Sequence, residues 1–169
     1  MSTYLLGVPL LAVAAVLQAT VLSRLHLAGG TADLVLLLAL SWTLVGEWQG
    51  GPVWGLIGGL CLDLLSGGPL GASAVGLVVV TYLASLTEGR FYRSHVLLPL
   101  ATVLGGTVLY HLISLTVLAV TGHSVSWLAS LTQVTLPAVL LNTLLMLPVY
   151  QVLRAVHGLL HPAPVTIEP

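Results

Sequence analysis

The chain has no lysine, only four arginines and five acidic residues, so 5% of its 169 residues are charged. Soluble domains carry roughly 25% charged residues, and no water-facing surface can be assembled from so few. Nucleic-acid binding requires a basic stripe; Arg24, Arg90, Arg93 and Arg154 are too scattered to form one. A single cysteine, Cys61, excludes an intrachain disulfide and reads, in its apolar setting, as a small hydrophobe. Long polar loops are missing as well, which excludes a soluble domain between the apolar stretches. A net charge of -1 rests on too few groups to indicate a partner. What remains is 57% hydrophobic, with a mean hydropathy of +1.10. These are the features of a membrane protein.

A membrane helix needs about 20 mostly apolar residues. Six segments are candidates: 4–22, 32–47, 51–65, 70–87, 96–120 and 131–153. The first lacks a basic leading region and is longer than the apolar run of a signal peptide, so it is expected to be a retained helix. The second and third are short and would give five spans if fused. Gly50-Gly51-Pro52 between them is a strong breaker, and Pro52 suits the first turn of a new helix, which favours six. Thr31 is expected to cap the second helix, with Asp33 in its first turn. Trp42, Trp48, Trp54 and Trp127 lie near segment ends, where interfacial anchors are found. The expected organisation is one all-α, polytopic domain over 1–155 and a short cytoplasmic tail over 156–169, with Pro162 and Pro164 in it. Three arginines then fall on one side and Arg24 on the other, which places both termini in the cytoplasm.

The most distinctive stretch is Gly51-Pro-Val-Trp-Gly55-Leu-Ile-Gly-Gly59-Leu-Cys-Leu-Asp63-Leu-Leu-Ser66-Gly67-Gly68-Pro69-Leu-Gly71. Gly51, Gly55 and Gly59 recur every fourth residue and lead to Asp63, a spacing that puts small residues and an acid along one helix face. Small residues at this spacing let membrane helices approach closely, within this chain or against the single helix of a partner. An intramembrane acid is expensive unless it is paired or reaches water. Gln18, Asp63, His111 and Asn142 form a polar set within the apolar segments, expected to bind the bundle together by hydrogen bonds; the alternative is that they line a small pocket. No catalytic set is convincing. Asp33 and Asp63 could pair as carboxylates, but each sits at a helix end. Ser66 lacks the first glycine of a nucleophile elbow, Leu64 standing in its place, and is better placed to cap the fourth helix or the turn leading into it. His157 and His161 are four residues apart, without a third metal ligand nearby, so no metal site is expected.

In order along the chain, Leu17-Gln18-Ala-Thr20-Val-Leu22, Ala32-Asp33-Leu-Val-Leu-Leu-Leu38, Leu62-Asp63-Leu-Leu-Ser66-Gly-Gly-Pro69-Leu-Gly71, Tyr82-Leu-Ala, Arg90-Phe-Tyr-Arg93, Leu98-Pro99, and Asn142 with Pro148 and Tyr150 resemble the bacterial rod shape-determining protein MreD family. Ala32 stands where that family usually has proline. The resemblance implies a non-enzymatic inner-membrane scaffold of the cell-elongation machinery, without cofactors. Its implied partner is MreC, within a larger complex of MreB, RodA and penicillin-binding protein 2. It also implies a fold similar to the six-helix substrate-binding component of energy-coupling-factor vitamin transporters, which makes a vitamin-binding component the alternative function. Under the scaffold reading, Asp33, Asp63 and the Gly67-Gly68-Pro69 turn would position or contact MreC on the outer side.

Overall fold

A computed structural model describes residues 2–24, 30–45, 50–87 and 97–160. The described residues are mostly helical, and no strand occurs among them. The helices are α1 (Ser2–Thr20), α2 (Leu34–Val45), α3 (Gly51–Ser66), α4 (Ala72–Ser85), α5 (Leu97–Val120), α6 (Trp127–Ser130) and α7 (Leu136–Leu160). A π-helical stretch, Leu131–Thr135, joins α6 to α7, so that 127–160 forms one continuous rod. The described residues therefore make six rods, with α2 and α3 separate. The last is longer than the sequence suggests, 127–160 against 131–153, because the π turn carries it past the polar Ser130–Thr135 region and Pro148 is accommodated inside it. Among the described residues, three stretches are long and apolar enough to cross a membrane, Gly7–Arg24, Leu97–Val120 and Trp127–Leu159. The 88–96 connector, Trp48, His161 and the 161–169 tail lie outside the described residues.

Contacts along the rods fix their directions. Gly55 meets Leu77 and Thr81, and Gly59 meets Ala74, so α3 and α4 run antiparallel. Gly76 lies on Tyr110 and Gly106 on Val80, giving the same relation between α4 and α5. Thr107 reaches Asn142 while His111 reaches Thr135, which sets α5 against α7. Asp33 pairs with Asn142 and Trp42 with His157, so α2 and α7 run in the same direction. Ser2 and Leu160 consequently lie at one end of the bundle. The starts of α2 and α4 and the 121–126 turn lie at the other.

The centre is α2, which packs against α1, α3, α4, α5 and α7. Val35, Leu36, Leu37, Ala39, Leu40, Ser41, Trp42 and Thr43 are all buried, because a helix hydrophobic all round must be enclosed. Its 12 residues rise only about 18 Å, against roughly 30 Å of hydrocarbon. One end of α2 therefore lies deep in the bundle. Trp42 and Trp54 stack there at 4.9 Å, with 4% and 2% of their surfaces exposed. They are core residues rather than the interfacial anchors their positions suggest, and Gly7 provides the space beneath the Trp54 ring. Trp127 alone of the described tryptophans is exposed, at 43%.

The glycine seam is internal. A Cβ on Gly55 would lie 2.5 Å from Thr81 Oγ1 and 2.7 Å from the Leu77 carbonyl oxygen, and one on Gly59 would run into the Ala74 backbone. Gly51 faces Thr43 of α2 instead, since a four-residue step overshoots a full helical turn by about 40° and the seam drifts round the helix. Gly58, outside the every-fourth pattern, meets Val35 of α2 and Leu11 of α1.

Candidate functional site

The chain approaches α2 through Gly30–Asp33, which is not helical and in which Gly30 and Asp33 are buried. Gly30 lies against Pro137 and Ala138 of α7, close enough that a Cβ would collide with the Pro137 ring. Irregular backbone within a membrane protein must be covered and have its polar groups satisfied. Two side chains from other helices do this. Asn142 Oδ1 accepts the Asp33 backbone N–H at 2.8 Å, and Gln18 Oε1 accepts the Val35 N–H at 2.9 Å. Gln18 thus fills the role of a helix cap from a distance. Asp33 is itself the residue before the helix, its carbonyl accepting the Leu37 N–H at 3.0 Å, so neither the Thr31 cap nor the first-turn placement of Asp33 is what forms.

The Asp33 carboxylate is freed from capping and becomes the hub of a polar network. Its Oδ2 accepts from Asn142 Nδ2 at 2.9 Å and lies 3.1 Å from His111 Nε2; its Oδ1 accepts from Gln18 Nε2 at 3.4 Å. Asn142 Nδ2 also donates to Thr107 Oγ1 at 3.2 Å, and His111 Nδ1 lies 3.1 Å from Thr135 Oγ1. With Asp33 ionised, the His111 Nε2–H donates to it. Nδ1 then accepts from the Thr135 hydroxyl in the neutral ring. In the protonated ring it donates, and Thr135 donates onward to the Ser130 carbonyl 3.4 Å away. Both states of the ring find partners. Thr135 owes its position to the π turn. Pro137 lacks an N–H and its ring crowds the carbonyl four residues back, and the widened turn relieves both.

Asp63 belongs to a different arrangement from Gln18, His111 and Asn142. Its Oδ1 accepts from Ser73 N at 2.8 Å, and its Oδ2 accepts from Gly71 N at 2.8 Å and Ala74 N at 3.2 Å. It caps α4 across the turn, where the residue before the helix, Gly71, has no side chain to do so. The turn needs left-handed backbone at Gly67 (φ 67°) and Gly71 (φ 100°), which explains both glycines beside Pro69. Ser66 braces that turn, accepting from Gly68 N and donating to the Asp63 carbonyl, both at 3.3 Å, and does not cap the helix. Asp33 and Asp63 thus each serve one helix start and do not form a carboxylate pair.

Both acids border a cavity of about 380 Å³ at that end of the bundle. His111 also lines it, whereas Gln18 and Asn142 are turned into the network and do not. Thr107, Thr135 and Tyr110 join the site without having been singled out in the sequence. Thr107 sits one turn before His111 on the same face, and Thr135 just precedes the helix-perturbing Pro137. Those spacings are the available signals. No group of three or more metal-ligating side chains occurs among the described residues.

No curated protein and no solved structure matches the chain. The family model for rod shape-determining protein MreD matches residues 1–156. The match takes in every helix from α1 to α6 and most of α7, including all the residues of the Asp33 network and the Asp63 turn. The chain therefore belongs to the family of rod shape-determining protein MreD, a family of membrane proteins that determine cell shape.

Proposed function

We propose that the chain is a non-enzymatic scaffold of the cell-elongation machinery. In this reading it is a multi-pass protein of the bacterial cytoplasmic membrane with both termini in the cytoplasm. It binds MreC directly and helps connect MreB to peptidoglycan synthesis by RodA and penicillin-binding protein 2. The observation that carries the reading, beside family membership, is how the polar residues are used. Asp33, Gln18, His111, Asn142 and Asp63 each hold a helix start or another side chain in place, as the parts of a rigid platform do. Arg24 and Arg154 lie at opposite ends of the bundle, and α4 finishes and α5 begins on the side of Arg154, with Arg90 and Arg93 between them in the sequence, which supports the orientation.

The glycine seam supports the fold of this platform and is not offered as a partner surface. The outer turn is the better candidate, since Leu64 and Leu70 flank it with about three quarters of their surfaces exposed. Co-expression with MreC and native mass spectrometry from detergent tests the reading. Retention of MreC by the unaltered chain and its loss in Leu70→Asp and Gly68→Trp chains that still fold is the expected result. Full retention in both variants removes the outer turn as the contact. Failure of the unaltered chain to hold MreC removes the partner.

A further inference from the structure

A second cavity, a groove of about 730 Å³, lies between α4 and α5 in the half of the bundle that holds Ser2 and Leu160. Toward the other half it is shut. Tyr110 lies on Gly76 there, where a Cβ would come within 2.8 Å of the ring, and Val80 lies on Gly106. From that closure the walls run to Thr87 on α4 and Leu97 on α5. Between Leu97 and Leu109 α5 rises about 18 Å, and Leu109 is halfway along it. One leaflet of hydrocarbon is about 15 Å deep, so the groove covers one leaflet and stops near the middle of the membrane. Its described wall is apolar except for Thr87 and Thr102, whose hydroxyls donate to the Ala84 carbonyl at 2.7 Å and the Leu98 carbonyl at 2.8 Å. Gly105 faces into it with nothing within 4 Å of where a Cβ would stand. A void beside these side chains would forfeit their dispersion contacts, so the groove calls for an apolar occupant.

Depth, volume and charge select that occupant. A partner helix is a rigid rod about 10–12 Å across, and one seated in the groove would run on into the contact of Tyr110 with Gly76. An acyl tail ends at the midplane, as the groove does. At about 30 Å³ per methylene, close to the share of one water, the volume holds roughly two dozen methylenes. That admits one tail of about 16–18 carbons and not two. In the sequence Arg90 and Arg93 stand between Thr87 and Leu97, the two wall residues at the open end, and their charge is complementary to a lipid phosphate.

We propose that the groove holds one acyl tail of a phospholipid from the leaflet on the side of Ser2 and Leu160. The second tail of that lipid stays among its neighbours in the bilayer. The groove lies at the opposite end from the outer turn, so the proposal stands apart from the MreC reading.

The test reconstitutes the full protein in phosphatidylglycerol nanodiscs, transfers it to detergent and counts the retained lipid by native mass spectrometry. Gly105→Phe fills the groove from its wall. Leu104→Phe puts the same ring on the neighbouring position, which is 50% exposed and does not line the groove. One lipid retained by the unaltered protein and by Leu104→Phe, with at least about tenfold less in Gly105→Phe, is the expected result. Ala101→Phe repeats the block one turn away should circular dichroism show that Gly105→Phe does not fold. Equal retention in the unaltered protein and the folded groove variants overturns the proposal. So does a loss in Leu104→Phe as large as in Gly105→Phe, or no lipid retained by the unaltered protein. Loss of a dimer or of bound MreC in Gly105→Phe, with its lipid unchanged, also overturns it and assigns the groove to a second copy or to a partner helix.

Discussion

Replacing Asn142 by leucine tests whether the polar network is what holds the start of α2. Asn142 is fully buried and makes three hydrogen bonds: it accepts the Asp33 N–H at 2.8 Å and donates to Asp33 Oδ2 at 2.9 Å and Thr107 Oγ1 at 3.2 Å. Leucine is close to it in size, so the change removes the bonds while leaving no large void. The Asp33 N–H is then buried without its partner, at roughly 1–3 kcal/mol. The two lost side-chain bonds add about 0.6 kcal/mol each on the scale measured between membrane helices. The expected loss is therefore about 2–4 kcal/mol. Unfolding by sodium dodecyl sulfate in mixed micelles, followed by circular dichroism, reads it.

Two further variants separate the terms. Thr107→Val removes only the weakest bond, so its double-mutant cycle with Asn142→Leu should give a coupling of about 0.6 kcal/mol. Asn142→Asp keeps the shape but puts a second carboxylate 2.9 Å from Asp33 Oδ2, where like charges oppose ionisation of both. It should be more damaging than leucine at neutral pH. A loss under about 1 kcal/mol for Asn142→Leu, below the lowest cost of one orphaned donor, would refute the reasoning and mean that water or a shifted backbone satisfies Asp33.

Gly59→Ala should destabilise the bundle by about 1–3 kcal/mol, since its Cβ would meet the Ala74 backbone; Gly105→Ala, where nothing lies within 4 Å, should stabilise it by about 0.5–1 kcal/mol. The same unfolding assay decides both, and equal effects would mean the α3–α4 approach is looser than described. Asp63→Ala removes the acceptor of three backbone N–H groups and should cost at least about 1–2 kcal/mol, with hydrogen exchange rising first at Gly71, Ser73 and Ala74. In a Cys61→Ala background, Ser124→Cys in the exposed 121–126 turn should react with a membrane-impermeant thiol reagent added to spheroplasts. Protection in intact spheroplasts and reaction only after lysis would reverse the proposed orientation.

The helices were legible because each apolar run is bounded by breakers that act locally. Gly50-Gly51-Pro52 separates α2 from α3, and Pro52 does stand in the first turn of α3. Ser66-Gly67-Gly68-Pro69 likewise ends α3 through the left-handed Gly67. The exception is the last rod. The apolar run suggests a start at 131, yet the π turn Leu131–Thr135 before Pro137 carries the helix back to Trp127, and whether five backbone groups can re-pair that way depends on what packs alongside.

The site was legible in kind but not in grouping. Gln18, His111 and Asn142 were recognisable because a polar side chain in an apolar run needs a partner inside the bundle. Their partner, Asp33, reads in the sequence as a first-turn residue of the second helix, and Asp63 reads as the acid of the polar set. Both acids precede or end a helix in the sequence, and nothing in their spacing tells which of them turns toward α5 and α7. That depends on contacts 78 and 109 residues away, to His111 and Asn142. Trp42 and Trp54 show the same limit, since a tryptophan near a helix end sits at the membrane surface only if that end does.

That last condition also accounts for the network. A central helix of 12 residues is too short to reach both faces of a membrane, and its start is enclosed as its Trp42 end is, with Asp33 only 7% exposed. The first N–H groups of a helix have no partner within it, and in an apolar bundle no water replaces them. The chain meets this with an asparagine from α7 and a glutamine from α1, and Asp33 is the group that both of them also bind. An acid at that point gains from the helix dipole, fixes the orientation of His111, and ties four helices to one residue. A bundle held together at a single buried hub should lose α1, α5 and α7 together when the hub is removed. Asp33→Leu, which deletes every side-chain bond at the hub at once, is thus expected to raise hydrogen exchange at the α2 start and at Thr107 and Thr135 alike. A rise confined to Val35 and its neighbours would show that the three outer helices are held independently.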